Sequence, residues 1–400
     1  MQLPLPGSPH LTYCTNIHAG ESWEEIFTAL RSHLPAIKES VCADAPMGVG
    51  LRLSAAAAEE LISPHTLHEL QTFLRDAGLY VFTVNAFPYG AFHATRVKEQ
   101  VYEPDWRTGA RLQFTNRVAD ILAQLLPDGV EGSISTVPGA FKAAIKTEAD
   151  IDAMVQALIR HAAHLHAISR AQGKSVVLAL EPEPCCFIET IEEAISFFNG
   201  RLFAQSSIEM FARLADVPAG EAEAALRRHL GVCLDVCHAA VEFEDPTECV
   251  ARLDAAGIRV PKIQLSSALR VPTVDERAVE LLHAFDDGIY LHQTVTTDNG
   301  GRLTRYTDLP DAIAARRNGA ASGEWRVHCH VPLFCADYGV LQSTQQPLAE
   351  LLAACRTRAM APHLEVETYT WDVLPANMRG GEIGNDIARE LTWVRSQLGA

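Results

Sequence analysis

Three observations predict that this chain folds as one closed (β/α)8 barrel of the α/β class. Short apolar runs alternate with longer helical stretches over the whole length, eight such runs can be counted, and neither a G-x-G-x-x-G nor a phosphate-loop motif follows any of them. Strand–helix alternation builds a parallel sheet with helical crossovers, and eight units favour closure over an open sheet. The missing glycine fingerprint removes the main signal for an open nucleotide-binding sheet. Residues 1–400 are read as a single domain, with a small β insertion at 285–335 between strands seven and eight.

The elements follow in order. His10 to His18 reads as strand one, with a helix from the N-cap Ser22 to about Ser40. Met47 to Leu53 is strand two, and the helix after it, Ala55 to Gly78, is broken near Pro64. Tyr80 to Asn85 is strand three, leading into the aromatic loop Ala86-Phe-Pro-Tyr-Gly-Ala-Phe-His93. A helix within Pro104 to Leu126 precedes strand four, Gly132 to Thr136; a helix from about Glu148 to Gln172 precedes strand five, Val176 to Glu181. Helices at Ile191–Phe198 and Glu221–His229 lead to strand six, Val232 to Val236, and strand seven is Lys262 to Ser266. Strand eight is Leu364 to Thr368, closed by a helix from about Ile383 to Leu398. In the insertion, Asp298-Asn-Gly-Gly signals a hairpin between Ile289–Thr296 and Arg302–Tyr306, and Trp325 to Phe334 reads as a further strand.

Composition narrows the function. With 48% hydrophobic and 21% charged residues the chain is an ordinary globular one, and a formal net charge of −17 repels phosphate backbones. Nucleic acid is therefore not an expected partner, and anionic membrane surfaces are disfavoured for the same reason. No apolar run approaches the ~20 residues that span a bilayer, and Met1-Gln-Leu-Pro-Leu-Pro-Gly lacks the features of a secretory signal. The ten cysteines are scattered, with several inside apolar runs and no C-x-x-C pair, which suits a reducing, cytoplasmic setting.

A barrel places its site where the C-terminal ends of strands meet the following loops. The polar residues there are Asn16 and His18, Arg52, Asn85, Glu181, Asp235 and His238, Gln264, and Glu365 with Glu367. Alternation puts Glu365 and Glu367 on one face, Glu367 nearer the open end. Carboxylates mixed with imidazole suit a divalent cation such as Mn²⁺, Mg²⁺, Co²⁺ or Zn²⁺. The bland reading of Asp235 and His238 is a hydrogen bond bracing the strand-to-loop turn. Phe87, Tyr89 and Phe92 are candidates for a pocket wall, and Trp371 with Asp372 for closing it over a ligand. His161, His164 and His166 are expected on the exposed face of their Ala-rich helix.

The Glu181-Pro ending strand five, the Asp235-x-x-His238 ending strand six and the glutamate of strand eight resemble the xylose isomerase-like barrels. These include sugar isomerases, ketose 3-epimerases, inosose dehydratases and the endonuclease IV group. The resemblance implies metal ligands at Glu181, Asp235, Gln264 and Glu367, and substrate contacts from His238 and Arg270. Position 264 departs from the family, which has histidine there; glutamine is a neutral and weaker ligand. His328 and His330 alternate on the inserted strand, with His292 nearby, and His330 is the expected replacement, stabilisation of the inserted sheet being the alternative.

Four further segments, Leu11-Thr-Tyr-Cys-Thr-Asn-Ile-His18, Asn85-Ala-Phe-Pro-Tyr-Gly90, Ser133-Ile-Ser-Thr-Val-Pro-Gly139 and Leu364-Glu-Val-Glu-Thr-Tyr-Thr-Trp371, extend the likeness over nearly the whole chain. They are similar to bacterial metabolite-traffic proteins, themselves xylose isomerase-like and encoded in operons linked to export of a secondary-metabolite precursor. That implies a small-molecule metabolite and partners from the same operon.

The expected reaction is isomerisation, epimerisation or dehydration of a small sugar-like or α-hydroxycarbonyl compound through a metal-stabilised enediolate. Glu181 and Glu367 would move the proton, with His238 beside them. Asn16, His18, Arg52, Asn85, Phe87, Arg270 and Trp371 would hold the substrate. A metabolite-binding or handover protein that keeps the cavity without chemistry is the alternative, supported by Gln264. Phosphodiester hydrolysis fits the negative charge worst.

Overall fold

The computed structural model describes residues 1–90, 98–286, 288–298, 300–320, 323–369, 371 and 381–400. Eight parallel strands form the sheet that organises them. They are β1 (His10–Tyr13), β2 (Met47–Arg52), β3 (Leu79–Asn85), β4 (Gly132–Thr136), β5 (Val176–Leu180), β6 (Leu230–Asp235), β7 (Arg259–Leu265) and, after the inserted strands, β14 (His363–Val366). Their order, β1-β14-β7-β6-β5-β4-β3-β2, brings β1 and β2 together at the two ends of the sheet.

The seam between them is closed by a side chain. Thr12 Oγ1 donates to Gly48 O at 2.8 Å and accepts from Gly50 N at 3.0 Å, standing in for a ladder rung, and Cys14 bridges Gly50 in parallel fashion. Gly50 has to be glycine here: an added Cβ would lie 2.1 Å from Glu365 Oε1 and 2.6 Å from Tyr13 O. The result is a nearly closed barrel, and the sequence expectation of fold class holds.

The helices form for local reasons. The first, Trp23–Cys42, starts at a capping box in which Ser22 and Glu25 satisfy each other's backbone donors. The expected long helix after β2 is two, Ala55–Leu61 and Pro64–Asp76, because Ser63 caps the second and Pro64 occupies its first turn. Strand one is shorter than expected: after Tyr13 the chain turns through a 3₁₀ segment, Thr15–Ile17, which aims Asn16 inward. Helices at Gln205–Ala215, Pro246–Ala255, Glu276–Leu282, Leu309–Arg317 and Gln345–Cys355 were not read from the sequence. The histidines of helix Glu148–Gln172 correct an expectation. His161 is fully buried against Trp106 and paired with Asn116 at 2.6 Å, while His164 meets Asp120 at 2.8 Å and His166 packs on Phe211. The helix is covered by neighbours on more of its circumference than an alanine-rich face suggests.

Between β7 and β14 the chain builds a second, antiparallel sheet. Its strands are β8 (Leu269–Val271), β9 (Thr294–Thr297), β10 (Leu303–Tyr306), β11 (Trp325–Val327), β12 (Asp337–Tyr338) and β13 (Leu341–Ser343), ordered β10-β9-β11-β8-β13-β12. The expected hairpin is β9–β10, with Asp298 N bonded to Arg302 O. The sheet takes strands from both sides of the 285–335 segment and has its own apolar core around Leu269, Phe285, Leu309, Trp325 and Val327. The run Trp325–Phe334 is a strand only to Val327. Beyond it His328 N bonds Gln293 O and Val331 N bonds Ser267 O, so the chain leaves the ladder and crosses to the barrel mouth.

Glu390, on the C-terminal helix Ile383–Leu398, ties this crossing to β14. Its Oε1 accepts from Leu333 N at 3.1 Å and from Thr368 Oγ1 at 2.8 Å, and the side chain is fully buried. Burial pushes its carboxyl up to about 8, against the pull of those two donors. The folded protein then binds this proton more tightly than the unfolded chain, so the contribution to stability is greatest at acid pH and falls as pH rises from about 4.5 to about 8. Glu390→Gln keeps the acceptor and removes the titration. Relative to wild type it should gain stability over that window, by up to about 5 kcal/mol at the alkaline end. Urea denaturation at pH 5, 6.5 and 8 checks this; a stability difference independent of pH would refute it.

Candidate active site

Three barrel strands deliver carboxylates to one point. Glu181 follows β5, Asp235 ends β6, and Glu367 follows β14, with Glu367 N anchored on Leu265 O. Asp235 also caps the short helix Val236–Val241: Oδ1 accepts from His238 N at 2.9 Å and from Ser266 Oγ at 2.8 Å. The capping role that sequence logic offered as the bland alternative is therefore real, yet it occupies only Oδ1. Glu367 is likewise gripped on one oxygen, Oε1 accepting from Asn16 Nδ2 at 2.7 Å and Asn85 Nδ2 at 3.0 Å.

One ligand oxygen from each of Glu181, Asp235 and Glu367 lies within 4.8 Å of the others, and all three residues are buried. Asp235 Oδ2 and Glu181 Oε2 are enclosed and make no hydrogen bond. Burial, with Glu367 and Asp235 beside it, pushes Glu181 well above the usual carboxylate range; burial and Asp235 do the same to Glu367. Asp235 goes the other way. Burial opposes its charge, but the His238 and His330 rings and the bonds from His238 N and Ser266 outweigh it and hold the carboxyl low. One ionised group thus sits between two that resist ionisation in the absence of a positive charge.

Beside the carboxylates stand three imidazoles. His238 Nδ1 lies 3.0 Å from Pro182 O and His330 Nδ1 lies 2.8 Å from Glu367 O; a carbonyl only accepts, so each Nδ1 carries its proton. His328 Nδ1 meets Gln293 Oε1 at 2.7 Å. That amide cannot be reversed, because its Nε2 donates to Glu183 Oε1 at 3.0 Å and Pro184 O at 3.2 Å. All three rings therefore turn the lone pair of Nε2 toward one another, at 3.1 Å between His238 and His328 and 3.3 Å between His328 and His330. Burial drives His238 down to about 4 and holds His328 well below its ordinary value, so neither ring readily supplies a shared proton. Ligand atoms of Asp235, His238 and His330 fall within 4.8 Å of one another, as do those of Cys237, His328 and His330. A cation is what such a constellation of facing lone pairs and partnerless carboxylate oxygens fits.

The cavity above is small, with about 60 Å³ open to the centre of a water-sized sphere, and it opens to solvent. Of the residues read from the sequence, Asn16, Asn85, Phe87, Glu181, His238, His330 and Glu367 line it. Others do not reach it. Gln264 is fully buried among the barrel strands, its Oε1 3.1 Å from the Cys233 thiol, and Ser266, two residues on, touches Asp235 instead. His18 bonds the Tyr13 hydroxyl and stacks on His33, and Arg52 is held by Glu21 and the carbonyls of Gly20 and Gly90. Arg270 lies in the second sheet, paired with Glu324 at 2.6 Å, because β8 continues the chain away from the mouth. Trp371 packs in the second core near Phe334. Phe92 and Asp372 lie outside the described residues.

Sequence reasoning missed several members. Glu183, two residues past Glu181, reaches the cavity and is pushed up to about 8 by burial despite donors from Tyr102 and Gln293. Tyr102, Tyr290 and Tyr369 also line the cavity, and no pattern in their own segments marks them. Below it Lys262 Nζ forms an ion pair with Glu365 at 2.5 Å, both wholly buried, and lies 3.2 Å from Ser135 Oγ. Burial opposes the lysine's charge, but Glu365 keeps it above the ordinary lysine value. A lysine inside an otherwise apolar strand was the available signal.

No family model matches the chain, and no curated protein matches it. Several solved structures are similar to it at low identity. A xylose isomerase domain protein from Planctomyces limnophilus is 13% identical, over 99% of each chain, with a TM-score of 0.48. The IolI protein with a binding zinc atom is 11% identical over 98% of each chain, TM-score 0.47. The probable 3-DHS dehydratase AsbF of Bacillus anthracis is 11% identical over 96% of this chain and 97% of that one, TM-score 0.41. No helix among the described residues is long and apolar enough to cross a membrane.

Proposed function

We propose that the protein is a metal-dependent isomerase, epimerase or dehydratase of a small sugar-like or α-hydroxycarbonyl metabolite. One observation carries this reading: Glu181, Asp235 and Glu367 converge with two buried carboxylate oxygens that no protein group satisfies. Leaving charged oxygens enclosed without a partner costs several kcal/mol, and a divalent ion removes that cost. Glu181, Asp235 and Glu367 would hold it, with His330 at the place left open by Gln264. The imidazoles favour Mn²⁺, Co²⁺ or Zn²⁺ over Mg²⁺. When bound, the ion would supply positive charge to two adjacent substrate oxygens as negative charge develops on them.

The chain's own groups supply the proton handling. Asn16 and Asn85 fix Glu367 through Oε1, so Oε2 is the atom free to take and return a proton. Glu181 Oε2, enclosed and without a hydrogen bond, is the second such atom. His238 is held by Pro182 O in the tautomer that presents an acceptor to the cavity. The biological setting belongs to the same proposal: a cytoplasmic role in metabolite traffic of the EboE type, with partners from the same operon, supported by the four sequence segments named above.

Elemental analysis followed by exchange of substrate C–H for deuterium tests the reading. Bound transition metal and exchange that stops on chelation and returns with Mn²⁺ or Zn²⁺ are expected; tight metabolite binding with no exchange would instead assign a handover role. The part given to His330 has its own check. His330→Ala should weaken metal affinity by at least about 10-fold, whereas unchanged metal content and affinity would remove His330 from the ligand set.

A further inference from the structure

The walls of the cavity divide sharply by chemistry. Asn16, Asn85, the carboxylates and the three imidazoles make its polar lining, at the ends of the barrel strands and on the crossing segment, whereas Phe87, Pro88, Val101, Tyr102, Tyr290, Leu291 and Tyr369 make its aromatic and apolar lining. Two aromatic pairs stand in this apolar lining, Phe87 with Tyr102 at 5.9 Å between ring centroids and Tyr290 with Tyr369 at 5.8 Å. The Tyr102 hydroxyl is already engaged, donating to Glu183 at 2.7 Å and accepting from Gln293 at 2.8 Å. A sugar carrying hydroxyls all round would press several of them against apolar surface, where each loses its water without gaining a partner.

Charge points the same way. Among the described residues Lys98 is the one lysine or arginine lining the cavity, and Asp308 holds its ammonium at 2.5 Å. Arg270 and Arg52, the guanidiniums that the sequence offers for holding the substrate, are bound by Glu324 and by Glu21. Glu181, Glu183 and Glu367 line the same space and offer no cationic partner to a phosphate or carboxylate.

Resting on the metal-dependent reading above, we infer that the substrate is an uncharged, two-faced molecule. Its two adjacent oxygens go to the polar lining, and an aromatic or otherwise apolar portion lies between the paired rings. It is neither a free polyhydroxylated sugar nor a sugar phosphate or sugar acid.

The test uses three α-hydroxyketones with the metal-loaded full chain: 1-hydroxy-3-phenylpropan-2-one, dihydroxyacetone and dihydroxyacetone phosphate. Exchange of the C–H α to the carbonyl is followed by proton NMR in deuterium oxide, and binding by saturation transfer. The phenyl compound should exchange with a kcat/KM at least about 10-fold above dihydroxyacetone, the gain expected from burying a ring, and the phosphate should be the poorest. Tyr290→Ala should bring the ratio of phenyl compound to dihydroxyacetone toward one. Equal or better handling of the phosphate, or a ratio untouched by Tyr290→Ala, overturns the inference. The two readings separate cleanly. Exchange without preference for the ring keeps the metal-dependent reaction and discards the substrate class, whereas saturation of the phenyl protons with no exchange of any compound keeps the class and discards the reaction. Neither binding nor exchange discards both.

Discussion

Glu367→Gln is expected to leave the fold intact and reduce turnover by at least about 10³-fold. The amide oxygen can still accept from Asn16 and Asn85, which bond Oε1 at 2.7 and 3.0 Å, so the side chain should keep its place. What is lost is Oε2 as an oxygen that holds a proton or contacts a cation, and with it one of the three groups that converge within 4.8 Å. Removing a positioned acid–base group typically costs about 10²–10⁴ in rate, and weakening the cation's hold adds to that. Circular dichroism and thermal unfolding should match wild type while deuterium exchange disappears. A variant that turns over the identified substrate at the wild-type rate would end the assignment of Glu367 to catalysis.

Lys262→Met should destabilise the protein by about 3–5 kcal/mol. Lys262 Nζ and Glu365 are 2.5 Å apart and fully buried inside the barrel. Removing the lysine strands a carboxylate in a space it cannot leave, beside Glu367, and takes away the positive charge that eases ionisation of both Glu181 and Glu367. With total stabilities of order 5–15 kcal/mol, that loss is large enough to threaten folding. The double variant Lys262→Met with Glu365→Leu should recover most of it, because apolar groups of similar volume often replace a buried pair at little cost. Guanidinium denaturation of wild type, single and double variants gives the comparison. A single variant within about 1 kcal/mol of wild type would show that the pair carries no such burden.

Much of the frame was legible before any coordinates. Strand-ending carboxylates have to appear at the mouth of a parallel barrel, so Glu181, Asp235 and Glu367 could be placed by counting strands. Alternation put Glu365 and Glu367 on one face, and their order along the chain put Glu367 nearer the open end, where it lines the cavity above Glu365. Spacing also put His238 one turn past Asp235, where the capping bond fixes it. Counting failed where the path of the chain changes direction. Gln264 has the expected sequence offset, but its side chain is enclosed beside Cys233, and the next inward position, Ser266, is the one that meets Asp235. Arg270 lies on β8, which turns away with the second sheet. His161 reads as surface because alanine-rich helices resemble exposed ones, yet Asn116 and Trp106 cover it.

The sequence by itself determined the barrel, its acidic mouth and the residue types able to hold a cation, since these follow from periodicity and from which residues end each strand. Tertiary structure alone decided which imidazoles join them. His328 and His330 lie 90 or more positions beyond His238 and reach it only because the chain leaves β11 and crosses the mouth, bonding Gln293 O and Ser267 O on the way. It likewise decided the direction of each lone pair, through Pro182 O, Gln293 Oε1 and Glu367 O. Those are contacts between groups distant in the chain, and no local pattern encodes them: periodicity fixes which face a side chain takes, and packing fixes what it meets there.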